Sequence, residues 1–154
     1  MAAHCDPPDQ PCVFIVDDDA DLVAFLFSLL VDEGYSLVAA SHGQQALDLL
    51  EQGLRPSVIL IDLMLPQVSG IDILGHIRTD PELKAIPRIV ITGSSERRTI
   101  VADAVFEKPF DPAALLRAVR GLTRSGDRKA AVGGGEERSS ADERTHAGKP
   151  RGVR

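Results

Sequence analysis

Residues 58–70 read V-I-L-I-D-L-M-L-P-Q-V-S-G, and this stretch decides the fold. Four apolar residues run into Asp62, and a short loop with Pro66 and Gly70 follows. A continuous apolar run bounded by turn residues predicts a strand buried on both faces. Asp62 then stands at the carboxyl end of that strand, and in an open α/β sheet this edge is where ligands bind. A strand-end Asp is also a common helix cap or strand terminator, so Asp62 carries a functional reading only in company.

Working outward, Val13 to Val16 is a second apolar strand, and it runs into Asp17, Asp18 and Asp19. Ala20 to Glu33 has Leu22, Val23, Leu26, Leu29 and Leu30 at helical spacing, with Asp18 or Asp19 as cap and Gly34 as stop. Ser36 to Ala40 is a short strand. Ser41 with Gln44 resembles a capping box for a helix that ends at Gly53. After Asp62, Ser69 caps a helix from Gly70 to Arg78, which the Asp80-Pro81 step stops. Ile89 to Thr92 and Ala104 to Phe106 are the fourth and fifth strands. Asp111-Pro112 opens a final helix that ends near Leu122. The order β-α-β-α-β-α-β-link-β-α predicts a parallel sheet covered on both faces, one α/β domain over 11–122. Residues 1–10 read as a flexible leader. Residues 123–154, with Gly133-Gly134-Gly135 and few large apolar residues, read as a disordered tail.

The twelve residues Gly93 to Ala104 are short for a parallel crossover. They predict a shortened or irregular fourth helix, with Ile100 and Val101 as its sizeable apolar residues.

Composition narrows the function classes. Residues 1–120 carry a net charge of −9 and residues 121–154 carry +3, within −6 overall. An acidic folded part argues against nucleic-acid binding. No apolar run approaches a membrane span and no signal peptide is evident, so the chain reads as soluble and cytoplasmic. Cys5 and Cys12 lack metal-ligand spacing and read as free thiols in a reducing cytosol. His4, His42, His76 and His146 are scattered and read as surface residues. No metal-ligand cluster includes His76, so it too reads as a surface residue of the third helix. Asp72, Asp80 and Asp103 read as solvated acids, and Glu96-Arg97-Arg98 as an exposed charge cluster.

In a parallel sheet the strand ends meet on one edge. Here that edge collects Asp17, Asp18, Asp62, Thr92 and, from the run F-E-K-P-F, Lys108. Three carboxylates in one cleft repel unless a cation intervenes. Mg2+ suits, because it accepts one or two carboxylates and shares phosphate oxygens. Asp62 is then a plausible nucleophile toward phosphorus, with Lys108 and Mg2+ offsetting charge on the phosphoryl oxygens.

The runs V-F-I-V-D-D-D at 13–19, V-I-L-I-D-L-M-L-P-Q-V-S-G at 58–70, I-V-I-T-G at 89–93 and F-E-K-P-F at 106–110 together resemble the receiver domain of two-component response regulators. The resemblance implies a five-stranded doubly wound sheet, flavodoxin-like, of order 2-1-3-4-5. It implies that Asp62 accepts a phosphoryl group from the phosphohistidine of a histidine kinase. Asp18, Asp62 and the backbone carbonyl of Met64 would ligate Mg2+, with Asp17 acting mainly through a bound water. Thr92 would bond the phosphoryl group and Lys108 would pair with it. The Lys108-Pro109 bond would be cis. The module would not be a dedicated enzyme; it would signal to a downstream protein or phosphotransfer partner. Two departures stand out. The family's fourth helix exceeds what 93–104 provides, and Val105 stands where the family commonly has Tyr or Phe. Phe106 is one step later, so strand alternation points it to the opposite face.

Two other functions compete. A phosphate-independent interaction module would keep the fold and leave the site unused. A phosphohydrolase of the haloacid-dehalogenase type also uses an aspartyl nucleophile, but it wants a second Asp two residues on, where Met64 stands.

Overall fold

The computed structural model describes residue 5 and residues 10–93 and 100–131, with side chains through Arg124. Five strands, β1 (Cys12–Val16), β2 (Ser36–Ala40), β3 (Val58–Ile61), β4 (Arg88–Thr92) and β5 (Ala104–Glu107), form one sheet of order β2-β1-β3-β4-β5. Every neighbouring pair is parallel; Val16 lies beside Ala40 and Ile61, and Ile61 beside Val90. Four helices complete the described chain: α1 (Ala20–Val31), α2 (Gly43–Glu51), α3 (Gly70–Thr79) and α4 (Pro112–Ala131). The doubly wound order is therefore as expected.

Strand alternation sorts the core into two layers. Phe14, Val16, Ile59, Ile61 and Val90 pack with Ala46 and Leu50 of α2 and Ile73 and Ile77 of α3. Val13, Ile15, Leu60, Ile89 and Ile91 pack with Leu26 and Leu30 of α1 and Leu115 and Val119 of α4. The core is aliphatic apart from Cys12, Phe14 and Tyr35. Truncating a fully buried Leu such as Leu26 or Leu30 would cost about 2–5 kcal/mol. Val105 packs against the first layer and Phe106 against the second, as their alternation requires.

Several local expectations change. Asp19, rather than Asp18, caps α1, accepting from the amides of Asp21 and Leu22. The cap of α2 is His42, whose Nδ1 accepts from the Gln45 amide. Gln45, not Gln44, turns back to the Ser41 amide at 2.8 Å, and Gln44 instead donates to Asp48. The box is displaced by one residue because Gly43 is the first helical position. Asp72 is no idle surface acid. It completes a capping box with Ser69 at the start of α3. Asp80 accepts from the Glu82 amide and Asp103 from the Arg88 amide, so both organise backbone.

Helix α4 runs nine residues past Leu122. The apolar period ends there, but a helix continues without it while its residues are good formers, as Arg124, Arg128, Lys129 and Ala130 are. The part of the predicted tail up to Ala131 is thus helical, and residues 132–154 lie outside the described residues. So do residues 94–99, where the sequence suggests a shortened helix and the Glu96-Arg97-Arg98 cluster; Ile100 to Asp103 are not helical. Of the leader, 1–4 and 6–9 are likewise outside.

The reading of Cys5 and Cys12 as free thiols is corrected. The two form a disulfide, with Cα atoms 5.6 Å apart. A spacing of seven residues fits no metal motif, yet it leaves chain enough to fold back on the start of β1.

Candidate functional site

The carboxyl edge of the sheet is where the chain concentrates its buried polarity. Asp17 follows β1, Asp62 follows β3 and Thr92 ends β4; each is buried, while Asp18 is exposed. Asp17, Asp18 and Asp62 can each offer one carboxylate oxygen within 4.8 Å of the others. Backbone bonds hold them there. The Asp17 amide donates to Ala40 and the Asp62 amide to Val16, so sheet hydrogen bonding continues one residue past each strand. Asp17 Oδ1 accepts from the Asp19 amide at 2.9 Å, and Asp62 Oδ1 from the Met64 amide at 3.0 Å.

Lys108 enters from the end of β5. Its amide donates to the Thr92 carbonyl at 2.9 Å, and the following Lys108-Pro109 bond is cis. Its Nζ lies 3.2 Å from Asp17 Oδ2 and 3.2 Å from Asp62 Oδ2. The ammonium therefore bridges the two buried carboxylates. Thr92 stands two residues past Val90, the register partner of Ile61, and so reaches the same edge.

The electrostatics of the cluster are unbalanced. Burial pushes the Asp17 carboxyl above its usual range, and the nearby Asp62 charge adds to this. The Asp19 amide and Lys108 pull it down without cancelling the rise. For Lys108, burial acts to lower the ammonium's pKa. The attraction and hydrogen bonds of Asp17 and then Asp62 outweigh it, and the pKa is raised. A buried carboxyl that resists ionisation beside further acids is a site that gains from a hard cation. The all-oxygen donor set of Asp17, Asp18 and Asp62 fits Mg2+ on that chemistry.

The loop between β3 and α3 is pinned by two close approaches. At Gly70 a Cβ would lie 2.4 Å from the Asp62 carbonyl oxygen, and its amide donates to the Leu63 carbonyl. At Gly43 a Cβ would lie 2.3 Å from the Val68 carbonyl oxygen. Gly70 belongs to the stretch that opened the sequence reading, but Gly43 carries no local signal. Its partner is twenty-five residues away, and only the packing of α2 on the loop reveals it. Of the residues singled out in the sequence, Asp17, Asp62 and Lys108 are in direct contact, Asp18 joins the carboxylate group, and Thr92 and Met64 border it.

Comparison with known proteins agrees with this geometry. The response regulator receiver domain profile matches residues 13–120. The DNA-binding response regulator MtrA of Mycobacterium tuberculosis is 35% identical over 121 residues, covering 75% of this chain and 51% of the relative. Protein Rrf1 of Nitratidesulfovibrio vulgaris is 35% identical over 109 residues, covering 70% of this chain and 78% of the relative. The chain spans about half the length of the MtrA proteins it matches. Among solved structures, the response regulator TrrA of Thermotoga maritima, in complex with Mg2+-BeF, has a TM-score of 0.66. It is 27% identical and covers 73% of this chain and 99% of that one. The signal receiver domain of a histidine kinase from Syntrophus aciditrophicus has a TM-score of 0.70. It is 26% identical, with coverage of 75% and 91%. With the profile spanning most of the chain and the acid cluster at the expected edge, the protein belongs to the response regulator receiver domain family, the signalling modules of two-component systems.

Proposed function

We propose that this receiver accepts a phosphoryl group on Asp62 from the phosphohistidine of a histidine kinase and signals through phosphorylation-dependent protein binding or onward transfer in a relay. The observation that carries this reading is the bridging of Asp17 and Asp62 by Lys108 beside the exposed Asp18. An Asp62 carboxylate oxygen attacks phosphorus, an O–P bond forms, and the P–N bond to the donor imidazole breaks. Lys108 moves from its carboxylate partners to the incoming phosphoryl oxygens, and the Thr92 hydroxyl bonds a third. Asp17, Asp18, Asp62 and the Met64 carbonyl would hold Mg2+. When bound, Mg2+ supplies positive charge that offsets the carboxylates and the phosphoryl oxygens. The protein works in the cytoplasm, consistent with there being no helix, among the described residues, long and apolar enough to cross a membrane.

The test is incubation with Mg2+ and a small phosphodonor, followed by intact mass. Wild type gains one phosphoryl group, and Asp62→Ala gains none. A second reading, a phosphate-independent interaction module, is favoured by Val105 standing at the switch position, where it packs against the core layer without an aromatic ring. It would leave the wild-type mass unchanged under the same conditions.

A further inference from the structure

At the opposite end of the sheet the chain holds a second chemically active pair. Cys12 opens β1 and is 2% exposed. Its amide donates to Ser57 Oγ at 3.1 Å, and its carbonyl accepts from the Ser57 amide at 2.8 Å. Cys5, joined to it, is half-buried and packs against the core layer under α2 and α3. Cys12 is therefore the more shielded partner and Cys5 the less shielded. Ser36 is the register partner of Cys12 on β2, so the two side chains share one face of the sheet. The Ser36 hydroxyl is buried and, among the described residues, has no hydrogen-bond partner. Five residue steps along β1 lead from Cys12 to Asp17, which places the pair roughly 16 Å from the carboxylates.

We propose that Cys5 and Cys12 are a reversible redox site, a dithiol–disulfide pair that exchanges with thiols and disulfides of the glutathione class. In reduction, an external thiolate attacks the less shielded Cys5 sulfur. The Cys5–Cys12 bond breaks, and Cys12 leaves as a thiolate that then takes a proton. The unpartnered Ser36 hydroxyl donates to that leaving thiolate. A second external thiolate attacks the mixed disulfide and releases Cys5. Two external thiols become one external disulfide, and the protein gains two electrons and two protons. Oxidation is the reverse, with the external disulfide as electron acceptor. The disulfide fastens Cys5 onto the core; in the dithiol form packing alone holds it.

The experiment uses the full chain equilibrated in glutathione and glutathione disulfide at stepped ratios, trapped with iodoacetamide and read by intact mass. The expected result is one transition from two alkylated thiols to none, within a monomer. The oxidised form should melt roughly 5 °C or more above the reduced form. Cys5→Ser, at the less shielded partner, keeps the fold and loses the transition. Ser36→Ala shifts the transition so that reduction needs roughly tenfold more reducing buffer. Full alkylation at every ratio, or bridges only between molecules, would overturn the site. An unshifted Ser36→Ala curve would overturn the role given to Ser36.

Discussion

Asp17 and Lys108 oppose each other at atomic range, and the outcome sets the pH behaviour of the metal-free protein. Folding raises the Asp17 pKa above its ordinary 3.8, mainly through burial. The native state therefore holds the proton more tightly than the unfolded chain. The stability from this group is fully present below pH 3.8 and is lost as pH rises through the raised native value. Asp17→Asn keeps the oxygen that accepts from Asp19 and removes the charge that burial disfavours. Without Mg2+ at pH 7 it should melt roughly 3 °C higher than wild type, with a flatter dependence of Tm on pH above 3.8. It should also gain less from added Mg2+, as differential scanning calorimetry would show. Lys108→Ala is the converse case. It leaves Asp17 and Asp62 facing each other without a cation. Breaking a buried pair is costly, but the lysine side chain is 27% exposed and solvent screens part of the loss. A metal-free destabilisation of about 2 kcal/mol in urea unfolding is expected, largely recovered by Mg2+.

Among the elements, the β3–α3 connection ties sequence to chemistry most directly. Ser69 and Asp72 satisfy each other's amides at the start of α3, while Gly70 lets that helix start against the Asp62 carbonyl. These two devices separate under mutation. Ser69→Ala removes one cap bond and should cost about 1 kcal/mol, with phosphoryl uptake retained. Gly70→Ala places a methyl 2.4 Å from a backbone oxygen, which cannot yield as a flexible side chain would. The loop must move instead. A loss of roughly 1–3 kcal/mol together with slowed uptake on Asp62 is expected, measured by unfolding and by the rate of mass gain. Similar stability loss with unchanged uptake would show that the loop's position does not matter to the chemistry.

Across the whole molecule, α4 is fastened to the far side of the α1–β2 connection. The Tyr35 and Thr123 hydroxyls lie 3.2 Å apart and are buried, and Arg120 pairs with Glu33. Thr123 also donates to the Val119 carbonyl at 2.9 Å, which leaves its oxygen to accept from Tyr35. Tyr35→Phe leaves the packing of the ring and removes that donor. A loss of about 1 kcal/mol is expected by thermal or urea unfolding, with uptake on Asp62 unaffected. On the opposite layer Arg55 pairs with Glu82 and donates to the Leu50 and Leu54 carbonyls, joining the end of α2 to the turn after α3. Val105 and Phe106 divide between the two faces, so the aromatic ring of this strand packs beside Phe110 on α4's layer.

Strand and helix periods are local properties, so the five strands and the four described helices were readable from apolar spacing, as were the caps Ser69 and Asp111, with Asp19 one of two candidates at α1. The displaced box at His42 and the backbone role of Asp72 were missed by one step of reasoning, since both depend on which residue is the first in helical conformation. Helix α4 outran its apolar pattern because propensity sustains a helix that packing no longer requires. The residue set at the sheet edge was legible because each member follows an apolar run. That Asp17 and Asp62 are buried while Asp18 is not, that one ammonium reaches both, and that Cys5 returns to Cys12 were decided by the tertiary structure. Periodicity is written between neighbours in the chain, whereas these distances arise only when strands far apart in sequence settle into register.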